Sequence, residues 1–130
     1  MKTEWRWKNF TADEIKCQHC GASIVVPEFL DKLQQLREDY ARPMKISSWY
    51  RCSAHNASIS KTGLTGPHTT GQAVDILCHG RGAYDLLHLA MLYGFTGIGI
   101  NQNGPIDKRF IHIDTLKDGM GMPRIWSYGH

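Results

Sequence analysis

His68-Thr-Thr-Gly-Gln-Ala-Val-Asp-Ile-Leu-Cys78 holds both a strand and a candidate reactive pair. From Gln72 to Cys78 the stretch reads as a strand. Ala73, Asp75 and Leu77 share one face, and Val74 and Ile76 share the other. A carboxylate opposite two branched apolar side chains marks one face for the core and leaves the other free for chemistry. Arg109–Thr115 follows the same rule: Ile111 and Ile113 project one way, His112 and Asp114 the other. His68, Asp75 and His112 together form an imidazole, carboxylate, imidazole set. Three protein ligands, rather than four, is the count of a zinc site that keeps one position open. The same residues also fit ordinary hydrogen-bonded positions, because a chain with seven histidines produces pairs by chance. Spacing alone leaves both readings open.

Working outward, Thr11-Ala-Asp-Glu14 has capping-box spacing and predicts a short helix over about residues 12–16, followed by a turn at Cys17-Gln-His-Cys-Gly21. Pro27 suits a first helical position, and Phe29, Leu33, Leu36 and Tyr40 then recur at helical spacing, so an amphipathic helix is expected to end before Pro43. Met44–Tyr50 reads as a strand that delivers Ser48, Tyr50 and Arg51 to a sheet end. Residues 53–67 are small and polar without periodicity and read as a loop bordering a cleft. Ala83, Leu86, Leu87, Ala90 and Met91 define a second core helix that Gly94 is placed to terminate. Phe95–Ile100 and Arg109–Thr115 are the arms of an expected antiparallel pair, with Asn103-Gly104 as a turn signal between them. Trp126 and Tyr128 are expected to cover an edge or wall the cleft. The fold class predicted is α+β: a small antiparallel β-sheet with packed helices.

With 130 residues, 42% of them hydrophobic, the chain fits a single domain spanning 1–130. The formal net charge of +3 comes from scattered basic residues, which does not favour a nucleic-acid partner but allows weak attraction to an anionic polymer such as a cell wall. No run of residues is long and apolar enough to span a membrane, and the N-terminus lacks the apolar segment of a signal peptide, so synthesis in the cytoplasm is expected. A monomer is expected.

Cys17, Cys20, Cys52 and Cys78 are expected to be reduced thiols. Cys17-Gln-His-Cys20 has the shape of a zinc knuckle, and a structural zinc on Cys17, Cys20, Cys52 and Cys78 is the less favoured reading, because the second pair lacks Cys-x-x-Cys spacing. If that knuckle were the main feature, the chain would be a zinc-ribbon or thiol-redox protein. His19, His55, His79, His88 and His130 receive no role.

Ser48-Trp-Tyr50-Arg51, Asn56, His68-x-x-Gly71-x-Ala73-x-Asp75 and His112-x-Asp114 within Phe-Ile-His-Ile-Asp resemble, in the same order, the zinc D-Ala-D-Ala carboxypeptidase family of peptidoglycan peptidases, in the short branch common in bacteriophages and bacterial cell-wall enzymes. The resemblance spans roughly residues 10–128. It implies a hedgehog-like fold, one catalytic Zn2+ held by His68, Asp75 and His112, and a substrate contact from Arg51. From their placement at the strand end, Ser48 and Tyr50 are expected to line the pocket, with ordinary hydrogen-bonded strand-end positions as the alternative, and a structural ion pair is the alternative for Arg51. It further implies hydrolysis of amide bonds in peptidoglycan peptide stems, by a carboxypeptidase or an endopeptidase of endolysin type. Lacking a signal peptide, such an enzyme would reach the cell wall after release, by phage lysis or on a virion.

The chain departs from that family at one point. Many members carry Glu or Asp three residues before the last histidine ligand, or a histidine two before it, as proton carrier; Arg109 and Phe110 stand there in this sequence. Asp114 is the expected replacement, with a role in orienting a ligand histidine as its alternative, and Asp107 is a weaker candidate. The missing carboxylate also supports a different class of function, a zinc-stabilised cell-wall binding module with weak or no turnover.

Overall fold

The computed structural model describes residues 5–60 and 66–128. The chain runs through α1 (Ala12–Ile15), α2 (Pro27–Tyr40), β1 (Lys45–Ser48), α3 (Ser53–Ile59), a 3-10 turn (Pro67–Thr70), β2 (Ala73–Leu77), α4 (Gly80–Leu92), β3 (Gly97–Asn101), a second 3-10 turn (Ile106–Lys108), β4 (Phe110–Asp114) and β5 (Arg124–Ser127). The architecture is α+β, as the sequence predicts.

The strands form one sheet in the order β1-β2-β4-β3-β5. β2 and β3 flank β4, both antiparallel, with Asp75 opposite His112 and Gly99 opposite His112 from the other side. The sheet is mixed rather than wholly antiparallel, because the tail enters as β5 parallel to β3. Strand alternation then sorts the side chains. Val74, Ile76, Ile98, Ile111 and Ile113 turn inward against Phe29, Leu33 and Leu36 of α2 and Leu86 and Ala90 of α4, forming one apolar core. Each of these side chains is at most 4% exposed, so this face is closed to solvent and any chemistry lies on the opposite one.

Local signals explain the helices. Thr11 and Glu14 bond each other's backbone N–H in a capping box, so even the four-residue α1 has a fixed start. Pro27 opens α2, and Ala41 closes it in the left-handed conformation at φ 56°. Trp7, Phe10 and Ile15 pack the N-terminal segment onto the core, and the Trp7 indole N–H donates to Asp31 of α2 at 2.8 Å.

The polar segment expected as a loop over 53–67 contains α3 instead. Its helix is started by Cys52, whose Sγ accepts the His55 N–H, and Asn56 is its one buried residue. A helix that presents no apolar stripe gives no periodic signal, which is why the composition reads as loop. Residues 61–65 of that expected loop, and the unassigned His130, lie outside the described residues.

Candidate metal centre

On the polar face of the sheet, His68, Asp75 and His112 converge, with one ligand atom from each lying within 4.8 Å of the others. Each is less than 9% exposed. Asp75 and His112 arrive as cross-strand partners on β2 and β4, so strand register fixes their separation. His68 comes from the 3-10 turn preceding β2. That turn is closed by Gly71 at φ +76°, where an added Cβ would also lie 2.9 Å from the Ile24 carbonyl oxygen.

Hydrogen bonds at the far side of each ring decide which nitrogen faces inward. His68 Nδ1 lies 2.7 Å from the Trp49 carbonyl oxygen, an acceptor only, so Nδ1 carries the hydrogen and Nε2 faces Asp75 Oδ1 at 3.2 Å. His112 Nε2 lies 2.7 Å from Asp114 Oδ2, and its Nδ1 faces the same Asp75 oxygen at 3.0 Å. Neutral imidazoles in these tautomers direct two ring lone pairs and a carboxylate oxygen at one point. Three acceptors in that arrangement repel unless a proton or a cation stands among them. Two imidazoles and a carboxylate suit zinc in chemistry, and zinc–ligand bonds of about 2.0–2.1 Å would set the donors roughly 3.4 Å apart in a tetrahedral site, close to the spacing found here. The residues fit the ion.

The electrostatics agree. Burial pushes the Asp75 carboxyl upward, but hydrogen bonds from His112 and His68 outweigh it and hold Asp75 well below the usual carboxylate range. Burial likewise opposes protonation of His112, yet its bonds to Asp114 and Asp75 raise its pKa overall. For Asp114, the upward push of burial is overcome by His112 and Arg124, and the pKa falls.

Asp114 lies behind His112 rather than in the lining of the cleft. Its side chain is fully buried, and its oxygens are taken by His112, by the Arg124 guanidinium at 2.8 and 3.2 Å, and by the Leu116 N–H at 3.0 Å. It meets the edge of the His112 ring opposite the one that faces Asp75. These contacts suit the alternative expected for Asp114, a residue that orients His112 and fixes its tautomer. Asp107 sits exposed on the second 3-10 turn and does not line the site.

Arg51 does reach the centre. Its Nη2 lies 3.3 Å from Asp75 Oδ2, its Nε donates to Ser48 Oγ at 2.9 Å, and its Nη1 donates to Asn56 Oδ1 at 3.2 Å. Ser48 thus serves as an anchor for Arg51. Neither Ser48 nor Tyr50 lines the cleft that contains the three candidate ligands; both border a separate small crevice on the other side of Arg51. The cleft itself encloses about 710 Å3, within the range of small-ligand sites. Besides Arg51 and the ligand set, its walls include Phe110, Arg124, Trp126 and Tyr128. Burial and the nearby Asp75 charge push the Tyr128 phenol up to about 12, so it remains a neutral hydrogen-bond donor.

The sequence reading missed Arg124 and the two glycines of β3. A Cβ at Gly97 would lie 2.0 Å from Asp114 Oδ1 and 2.4 Å from Arg124 Nη1, and one at Gly99 would lie 2.5 Å from Trp126 Nε1. The pair Gly97-x-Gly99 is thus the space into which Asp114, Arg124 and Trp126 fold. Alternating glycines in a strand are the one signal that could have marked a close approach there.

Cys78 is buried in the core cluster just after β2, outside the group of thiols that could share a metal, so the less favoured reading of a zinc on all four cysteines loses its fourth ligand. Cys17, Cys20 and Cys52 do come together.

Residues 8–114 match the Peptidase M15 family, and the chain belongs to it. Its members are zinc-dependent peptidases, which agrees with the donor set described above. Comparison with curated proteins returns no match. Among the described residues, no helix is long and apolar enough to cross a membrane.

Proposed function

We propose that this protein is a zinc peptidase that hydrolyses an amide bond in the peptide stem of peptidoglycan, as a D-Ala-D-Ala carboxypeptidase or an endopeptidase of endolysin type. The observation that carries the proposal is the convergence of His68 Nε2, Asp75 Oδ1 and His112 Nδ1 at one point in the wall of an open cleft. Zinc held there supplies Lewis acidity toward an amide carbonyl and toward water. The protein's own residues do the rest. Trp49 and Asp114 fix the two ring tautomers, so that both lone pairs stay directed at the centre. Arg51, held by Ser48 and Asn56, presents a positive charge beside Asp75, where it can receive a stem carboxylate or the oxyanion that forms as the carbonyl is attacked. Tyr128 adds a neutral donor, and Trp126 and Phe110 give the cleft an apolar wall. Such a cleft accommodates a short peptide of mixed polarity.

A second reading is favoured by one observation. Among the described residues lining the cleft, Asp75 is the only carboxylate, so none is left over to carry a proton from water to the leaving amine. A module that binds the stem through zinc and Arg51 without cutting it needs no such group. Digestion of purified peptidoglycan with the zinc-loaded protein, followed by mass analysis of the muropeptides, separates the two. Peptidase action gives stems shortened by D-alanine or cut within the stem or cross-bridge. Intact muropeptides from protein that retains zinc and sediments with the wall would support the binding module and overturn the peptidase.

A further inference from the structure

Three thiols lie together in a second cluster, on elements the peptidase site does not use as ligands. Cys17 and Cys20 bracket a tight turn in which the Gly21 N–H donates to the Cys17 carbonyl at 2.8 Å and Gly21 takes φ +75°. Cys52 follows Arg51 directly and caps α3. Its own N–H donates to Cys17 Sγ at 3.2 Å, and its Sγ accepts the His55 N–H at 3.4 Å. The three sulfurs lie within 4.8 Å of one another, and all three cysteines are free. A disulfide needs sulfurs about 2.05 Å apart and can join only two of the three. A tetrahedral zinc with Zn–S bonds of about 2.3 Å sets its sulfurs roughly 3.8 Å apart and takes all three.

A closed zinc site requires a fourth protein ligand, and the chain places one at the matching spacing. Cys17-Gln-His-Cys20 is answered by Cys52-Ser-Ala-His55, two pairs of ligand residues each separated by two others. The His55 imidazole stacks on that of His19, which sits inside the first pair, with centroids 5.7 Å apart and planes 21° from parallel. The group whose ligand atoms lie within 4.8 Å of one another comprises the three thiols and neither ring, so His55 would complete the site by turning its imidazole toward the sulfurs.

We propose that Cys17, Cys20, Cys52 and His55 hold a second, structural zinc ion. This site joins the N-terminal segment to the end of β1, alongside the bond from the Tyr50 N–H to the Ile15 carbonyl at 3.2 Å. It also fixes the start of α3, whose Asn56 holds Arg51. The structural ion thereby positions Arg51 in the cleft without touching substrate. The proposal stands on the cysteine cluster alone and does not require the cleft to be catalytic.

The test is metal stoichiometry on protein purified under reducing conditions. The wild-type chain should carry two zinc ions, and the H68A/H112A variant, with all thiols intact, should carry one. When cobalt replaces zinc in that variant, thiolate-to-cobalt charge-transfer bands and tetrahedral ligand-field bands should appear. C17S/C20S should keep only the zinc of the cleft. H55A in the H68A/H112A background should bind cobalt more weakly and with altered ligand-field bands. A metal-free H68A/H112A protein whose thiols all react freely with a thiol reagent would overturn the proposal, as would a Cys17–Cys52 disulfide in the zinc-treated protein. An unchanged cobalt spectrum in the H55A background would remove His55 from the ligand set. Because H68A/H112A leaves the cysteine cluster untouched, the proposal remains testable even if C17S/C20S does not fold.

Discussion

His112 Nε2 lies 2.7 Å from Asp114 Oδ2, on the ring edge turned away from Asp75. If His112 binds zinc as proposed, this contact would make Asp114 the residue that fixes the ligand's tautomer, on the side of the ring away from the metal's water. Arg124 completes the arrangement from β5 by holding both Asp114 oxygens. Asp114→Asn should therefore weaken zinc binding by about 10–100-fold, with turnover recovering as zinc is raised. Titration of activity against free zinc checks it; a turnover loss that no zinc concentration repairs would return Asp114 to the proton-carrying role.

In the proposed peptidase, Arg51 faces the substrate at the same centre. Arg51→Met should keep the cleft zinc, since none of the three ligands is removed, while lowering kcat by about 10²–10³-fold, the usual cost of losing one donor to a developing oxyanion. Zinc content measured beside kcat separates this from a loss of metal. Retained turnover with a raised KM would limit Arg51 to substrate binding.

The glycines of β3 should not tolerate a side chain. Gly97→Ala places a Cβ 2.0 Å from Asp114 Oδ1, and neither the buried carboxylate nor the backbone of β3 can yield freely. Overpacking of this kind costs about 1–3 kcal/mol, which should lower the Tm by several degrees and weaken zinc binding through displacement of Asp114. Thermal unfolding of the metal-free and zinc-loaded variant checks both effects.

The pH dependence of the metal-free protein follows from the three shifted groups. Asp75 and Asp114 have depressed pKa values, so their contribution to stability is present above the unfolded value of about 3.9 and is lost as pH falls through the folded values. His112 has a raised pKa, so its contribution is present below about 6.5 and is lost as pH rises through its folded value. Metal-free protein should be most stable between about pH 4 and 6.5. Zinc displaces the proton from the centre, so stabilisation by zinc should grow as pH rises. Melting curves from pH 4 to 9 with and without zinc test the crossing trends.

Much of this was legible in the sequence wherever one strand carries the information. Asp75 and His112 declare their face through the isoleucines and valine beside them, and the core helices declare themselves by apolar spacing. What stayed hidden depends on contacts between distant segments. Arg124 and Trp126 reach the site only because β5 pairs parallel with β3, and no local pattern announces that pairing. The helix α3 lacks an apolar stripe because its buried residue, Asn56, serves Arg51 rather than the core. Cys52 joins Cys17 and Cys20 because the end of β1 lies against the N-terminal turn, a relation that spacing along the chain does not contain.

The proposed function depends on one zinc ion among His68 Nε2, Asp75 and His112 Nδ1, with a coordination position open to the cleft. Anomalous diffraction at the zinc edge, from crystals of the zinc-loaded protein, tests it most directly. A peak is expected at about 2.0–2.2 Å from those three residues and beyond reach of Asp114. A peak ligated by Asp114, or no peak in this cleft at saturating zinc, would contradict it.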